Sequence, residues 1–168
     1  FMIVPIVSTT FASFARQFRG LGAGSIGWVF IDEAGQAVPQ AAVGALLRGR
    51  RVMAIGDPQQ IEPVFILPSA LITAASALSA HTAAGQYSPN RASVQMLADA
   101  ANRYGTTVPG EEADGLWIGS PLRVHRRCFD PMFGLANRIA YQDKMVFGLE
   151  NRRPAGDAGP QYPARRSM

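Results

Sequence analysis

Apolar residues come in short unbroken runs separated by stretches with helical spacing. Met2–Val7, Ile26–Ile31 and Val52–Ile55 are three such runs, and each stops abruptly at polar residues or glycine. Continuous runs of this length predict strands buried on both faces. Between them the apolar spacing widens to three or four residues. Phe11, Phe14, Phe18 and Leu21 predict a helix stopped near Gly20. Val43, Leu46 and Leu47 predict a second, opening at Pro39 and ending at Arg48–Gly49. Strands alternating with helices predict an α/β fold built on a parallel sheet covered on both faces. In that arrangement Trp28, inside a strand, belongs to the core, as do Phe11, Phe14 and Phe18.

The rest of the chain is less regular. Pro68–Ala80 reads as a short apolar helix and His81–Arg91 as a loop. Val94, Leu97, Ala98, Ala101 and Tyr104 mark a helix closed by Gly105. Residues 105–115 read as an exposed loop, and Leu116–Ile118 as a short strand with Trp117 in a packing role. Asp130 and Pro131 supply a cap and first turn for a helix to about Tyr141. Its expected buried stripe is Met132, Leu135, Ala136 and Ile139. From Gly148 onward Gly, Pro and Arg dominate, with little to pack.

Composition narrows the class. Hydrophobic residues make up 48% of the chain and charged residues 17%, which excludes an intrinsically disordered protein. The single cysteine, Cys128, excludes an intramolecular disulfide and a cysteine-built zinc cluster, and it reads as a passenger. Two histidines, His81 and His125, leave little for a histidine metal site. No apolar run approaches a membrane span, and no basic segment precedes an apolar one at the start, so a cytoplasmic location without membrane partners is expected. Charge is uneven. Residues 1–120 carry seven arginines against eight acids; residues 121–168 carry eight arginines and Lys144 against four acids. A basic final third suits an anionic partner, although a solvated arginine surface would look the same.

The strand ends carry the candidate chemistry. Asp32–Glu33 closes one run and Gly56–Asp57 another. Two parallel strands joined by one crossover helix open on the same sheet edge, where α/β proteins bind ligands. Paired carboxylates there would hold Mg²⁺ and position a water. Gln60 would hydrogen-bond a phosphate or the attacking water. Alternatively, Asp32 and Glu33 simply cap the following helix.

Four segments, in order, carry a resemblance. Phe30-Ile31-Asp32-Glu33-Ala34-Gly35-Gln36-Ala37 resembles the Walker B segment, motif II, of superfamily 1 helicases. Gly56-Asp57-Pro58-Gln59-Gln60-Ile61-Glu62-Pro63-Val64 resembles their motif III. Val7-Ser8-Thr9-Thr10-Phe11-Ala12-Ser13 is similar to the Ser/Thr-rich motif that precedes motif II. Leu122-Arg123-Val124-His125-Arg126-Arg127, running on to Asn137-Arg138-Ile139-Ala140-Tyr141, is similar to motif IV. The set most resembles the 5′-to-3′ branch, with AAA-type helicase domains.

The resemblance implies a partial RecA-like P-loop NTPase fold over residues 1–120 and the start of a second RecA-like domain over residues 121–168. It implies ATP and Mg²⁺ as cofactors and single-stranded or duplex DNA or RNA as partner. Asp32 would hold the Mg²⁺, Glu33 would orient or deprotonate the attacking water, and Asp57 and Gln60 would face the phosphates. Arg127 would reach from the second domain as an arginine finger, with Arg126 and Arg123 as near alternatives. Ser8, Thr9 and Thr10 would contact the nucleic-acid backbone, although a hydroxyl at this place also suits a helix N-cap. The chain departs from the family in having no Gly-x-x-x-x-Gly-Lys-Ser/Thr segment and nothing resembling motifs V and VI. The expectation is therefore a piece of a longer helicase chain, inactive by itself. Two other readings stay open: a degenerate helicase-like module that binds nucleic acid without hydrolysis, and a Mg²⁺-dependent phosphohydrolase built on Asp32, Glu33 and Asp57.

Overall fold

The computed structural model describes residues 5–64, 66–78, 87–89, 92–108 and 115–149. Contacts divide the chain into two compact units, Phe1–Pro121 and Leu122–Met168. The fold is mixed α/β with short parallel sheets.

In the first unit α1 spans Phe11–Gln17, β1 Val29–Ile31, α2 Pro39–Arg48 and β2 Val52–Ala54. The strands pair in parallel, Val29 opposite Val52 and Ile31 opposite Ala54. Pro39 opens α2, where its missing N–H has no helical partner to lose. Val29 and Ile31 point to one face and are buried with Phe14, Phe18, Ala34, Ala42, Ala45 and Val94. The two alanines bring α2 close to the strand, since a larger side chain on that face would hold the helix away. Arg48 closes the seam: its Nε donates to Leu21 O and its Nη1 to Gly44 O, both at 2.9 Å.

The other face of the sheet departs from expectation. Phe30 is 63% exposed and Trp28 47%, with Met53 beside them. Trp28 stacks on Phe30 at 5.7 Å, and the Arg51 guanidinium lies 5.3 Å from the Trp28 ring centroid. Trp28 is thus not core. α1 and α2 pack against the sheet through the Val29 and Ile31 face, so residues of opposite parity are left bare. Nor do residues 5–7 form the expected strand. Ile6 is 83% exposed and no ladder includes it. Pro5 has no N–H to give a ladder. The remainder of the expected strand, residues 2–4, lies outside the described residues.

α3 spans Ser69–Ala77, inside the predicted Pro68–Ala80, and buries no residue; residues 79–80 lie outside the described residues. Of the His81–Arg91 loop only 87–89 are described. α4 spans Val94–Ala101, capped by the Ser93 hydroxyl, which accepts from Met96 N at 3.1 Å. It stops short of Tyr104 because Asn102 turns extended and its side chain donates to Ser120 Oγ at 2.9 Å. Within the loop expected at 105–115, β3 (Thr106–Val108) forms a strand antiparallel to β4 (Leu116–Ile118). β-Branched Thr106, Thr107 and Val108 suit that pairing despite their polarity.

In the second unit β5 (Val124–His125) pairs in parallel with β6 (Val146–Phe147), and α5 (Met132–Ala140) connects them. The Asp130 carboxylate accepts from Gly134 N at 2.9 Å at the helix start. The predicted buried stripe is wrong: Met132, Leu135 and Ile139 are 64%, 55% and 82% exposed. α5 instead buries Phe133 and Asn137. Phe133 packs between His125 and Phe147, and Asn137 exchanges two hydrogen bonds with the Met145 backbone. The two short strands contact α5 through that face, leaving the longer aliphatic residues uncovered.

Candidate functional site

The parallel register brings both acidic strand ends to one edge. Ile55 N donates to Ile31 O at 2.8 Å, and Ala34 N returns a bond to Ile55 O at 2.9 Å. The two chains therefore leave the ladder side by side. Glycine makes this approach possible. A Cβ on Gly56 would stand 2.7 Å from Gly35 N and 2.9 Å from Ala34 N; one on Gly35 would stand 2.9 Å from Asp57 O. Any side chain there would push the strand-end loops apart.

Asp32 and Glu33 follow β1 directly and are both exposed. The Asp32 Oδ1 accepts from Glu33 N at 3.1 Å, which orients the carboxylate. Glu33 has φ +52°, the left-handed region, which costs a non-glycine residue about 1–3 kcal/mol. Neither side chain caps α2, whose start at Val38–Pro39 has no side-chain cap. Asp57 is half-buried. Its Oδ1 accepts from Gln59 N at 3.0 Å and its Oδ2 from Gln60 Nε2 at 3.2 Å. Gln60 N also donates to Asp57 O at 3.2 Å. Asp57 thus shapes the loop that presents Gln60, and the second N–H of the Gln60 amide remains for another acceptor.

Among the described residues no group of three or more His, Cys, Asp or Glu side chains is arranged to hold a metal ion. A site closed by Asp32, Glu33 and Asp57 together is therefore not formed. The exposed Asp32 carboxylate suits Mg²⁺ of the other kind, which keeps most of its waters and is held by one or two carboxylates plus phosphate oxygens.

α4 docks onto the back of this edge. Gln95 N donates to Ala34 O at 3.0 Å and Val94 N to Ala37 O at 2.9 Å, so the turn after β1 supplies acceptors to the first N–H groups of the helix. Buried Gln95 donates through Nε2 to both oxygens of buried Asp99, at 3.2 and 3.1 Å, while its Oε1 has no partner. Asp99 also accepts from Gly119 N at 3.0 Å. The supporting residues Gly35, Gly56, Gln95 and Asp99 had no assigned role in the sequence reading. Only the glycines carried a signal, each lying within two residues of a strand-end acid.

The other predicted residues lie elsewhere. Thr10 is the N-cap of α1, accepting from Ser13 N at 3.4 Å, and Thr9 Oγ1 donates to Thr10 O at 3.3 Å. Ser8, Thr9 and Thr10 line an open groove of about 1130 Å³ bounded by α1 and by residues 25–32, so it reaches Asp32. Arg127 lies in the second unit, exposed between β5 and α5, as is Arg126; Arg123 donates through Nε to Lys144 O at 2.8 Å.

Among the described residues no helix is long and apolar enough to cross a membrane. No curated protein and no solved structure matches the chain. Residues 4–67 match the family model of an AAA domain, a span that takes in the Ser/Thr segment, both strands of the parallel pair and both acidic strand ends. Over that span the chain is similar to helicase-like P-loop NTPase domains.

Proposed function

We propose that these residues form the Walker B and motif III side of an ATP-hydrolysing site in a superfamily 1 helicase or translocase acting on DNA or RNA. The observation that carries this reading is the shared edge: β1 and β2 deliver Asp32–Glu33 and Asp57–Gln60 side by side, inside the span similar to an AAA domain. Asp32 would hold Mg²⁺, which neutralises charge on the phosphates. Glu33 accepts the proton of the attacking water. Gln60, set by Asp57, donates to the terminal phosphate. Ser8, Thr9 and Thr10 offer hydroxyls to the nucleic-acid backbone in the groove beside β1. Arg127 is the finger, and its unit is the start of a second RecA-like domain. Phosphoryl transfer depends mostly on positioning and charge neutralisation, and residues of these types supply both.

The glycine-rich phosphate cradle and its lysine are not among these 168 residues, so the reading requires them from another segment. Two measurements test it. The 168-residue chain should hydrolyse Mg·ATP negligibly; steady turnover abolished by Glu33→Gln would instead favour a phosphohydrolase. With a P-loop segment present, Glu33→Gln and Arg127→Ala should each lower kcat by about two orders of magnitude or more, with much smaller changes in ATP affinity. Nucleic-acid binding with no hydrolysis in that longer chain would replace the reading by a binding module.

A further inference from the structure

The sheet face that α1 and α2 leave bare is a second surface, apart from the acidic strand ends. Trp28 and Phe30 stand on it as one stack, 5.7 Å between ring centroids and 10° from parallel, with the Arg51 guanidinium beside the Trp28 ring. Both rings line the groove that Ser8 and Thr9 also line. Gly27 lines it next to Trp28, and nothing lies within 4 Å of where its Cβ would stand, so the groove is open there. Phe30 is the more exposed of the two rings and is free to take a further flat group. Charge is segregated along the strand pair. Residues 5–56 contain Arg16, Arg19, Arg48, Arg50 and Arg51 against Asp32 and Glu33. Both acids follow the C-terminal end of β1, whereas exposed Arg50 and Arg51 precede β2, at the opposite end of the parallel pair. Asp32 is the one acid lining the groove. An apolar helix seated here would have to bury the Ser8 and Thr9 hydroxyls and an arginine without new partners, which is costly. A chain of flat rings joined by phosphates has a use for all of these groups.

We infer that the Trp28–Phe30 face binds single-stranded nucleic acid, its unpaired bases stacking on the two rings. The phosphates lie towards the hydroxyls and the basic end. A duplex fits poorly, because its base faces are already taken by neighbouring pairs and only the edges are presented. Stacking is tolerant of sequence, since every base has a π-face. The inference rests on the reading that this groove meets nucleic acid, and names the form it takes.

The test is binding of labelled oligothymidylate and oligouridylate of about 15 nucleotides to the 168-residue chain at low salt, followed by anisotropy and by tryptophan quenching. A blunt duplex of the same length is the comparison. Both single strands should bind at least about tenfold more tightly than the duplex, with affinity falling as salt rises. The tighter of the two tells DNA from RNA. Phe30→Ala and Phe30→Leu should each weaken binding about fivefold or more, leucine being apolar without a ring to stack. Trp28→Phe should keep most of the affinity and lose most of the quenching. Circular dichroism checks that each variant is folded; if the Phe30 variants are not, Trp28→Phe and the preference of the parent chain for single strands decide. Equal affinity for duplex, or a folded Phe30→Ala or Phe30→Leu that binds like the parent, overturns the inference. If Ser8→Ala with Thr9→Ala abolishes binding while Phe30→Ala does not, the hydroxyl contact stands and the stacking face falls. No binding by the parent chain overturns both, and self-association lost in Phe30→Ala would then assign the face to a second copy. Hydrolysis measurements on the strand-end acids are independent of all these outcomes.

Discussion

The two units use one device, a parallel strand pair bridged by a helix, with different results. In the first, β1 and β2 lie under α1 and α2, and Phe14, Phe18, Val29 and Ile31 make a continuous core. In the second, β5 and β6 are two residues each, and the buried apolar residues are Phe133 and Leu149 among those described. The first unit is held by apolar area. The second is held largely by polar ties: Asn137 to the Met145 backbone, Arg123 to Lys144 O, and Asp130 to Gly134 N. The difference shows what an amphipathic pattern can and cannot tell. It marks which residues could be buried together; the neighbouring elements decide which of them are.

The comparison can be broken most strongly at Phe14. Its ring is buried, lies 4.6 Å from that of Phe18 and sits beneath the Arg48 guanidinium. Phe14→Ala should destabilise the first unit by about 3–5 kcal/mol. Both tryptophans, Trp28 and Trp117, belong to that unit, so urea unfolding followed by tryptophan fluorescence reads it selectively. An unchanged midpoint would show that the α1–β1 core is not what holds the unit.

Asn137 tests the second unit by its polar ties. Asn137→Leu keeps the approximate size and strips Met145 N and O of their side-chain partners. A loss of about 1–3 kcal/mol is expected, visible as faster amide hydrogen exchange over residues 124–147 with the first unit's fluorescence transition unmoved. If exchange does not change, the polar ties are incidental.

The smallest effect sharpens the contrast at the exposed stripe. Ile139→Ser removes a side chain that is 82% exposed, so stability should move by no more than about 0.5 kcal/mol. Met132, Leu135 and Ile139 together leave α5 with an uncovered apolar strip, so the same variant should lower self-association in sedimentation measurements. A large loss of stability would mean that Ile139 is covered after all.

Sequence by itself determined the elements whose signals are local. The apolar runs ending at Asp32 and Asp57, Pro39 at a helix start and the period of Phe11, Phe14 and Phe18 each depend on residues within one turn or one strand, and the elements formed there. The acidic strand ends were legible too, because a crossover helix between parallel strands leaves their ends on one edge. Tertiary structure decided the rest. Trp28 and Phe30 match a buried strand in composition, yet the helices packed against the other face. Met132, Leu135 and Ile139 match a buried stripe, yet Phe133 and Asn137 meet the sheet. Thr106–Val108 became a strand only because Leu116–Ile118 stands beside it. The pairing of Gln95 with Asp99 and the contact of Cys128 with His125 depend on rotamers and on backbone paths around a turn. No residue pattern encodes those directly, since burial and side-chain contact belong to pairs of elements and not to either one alone.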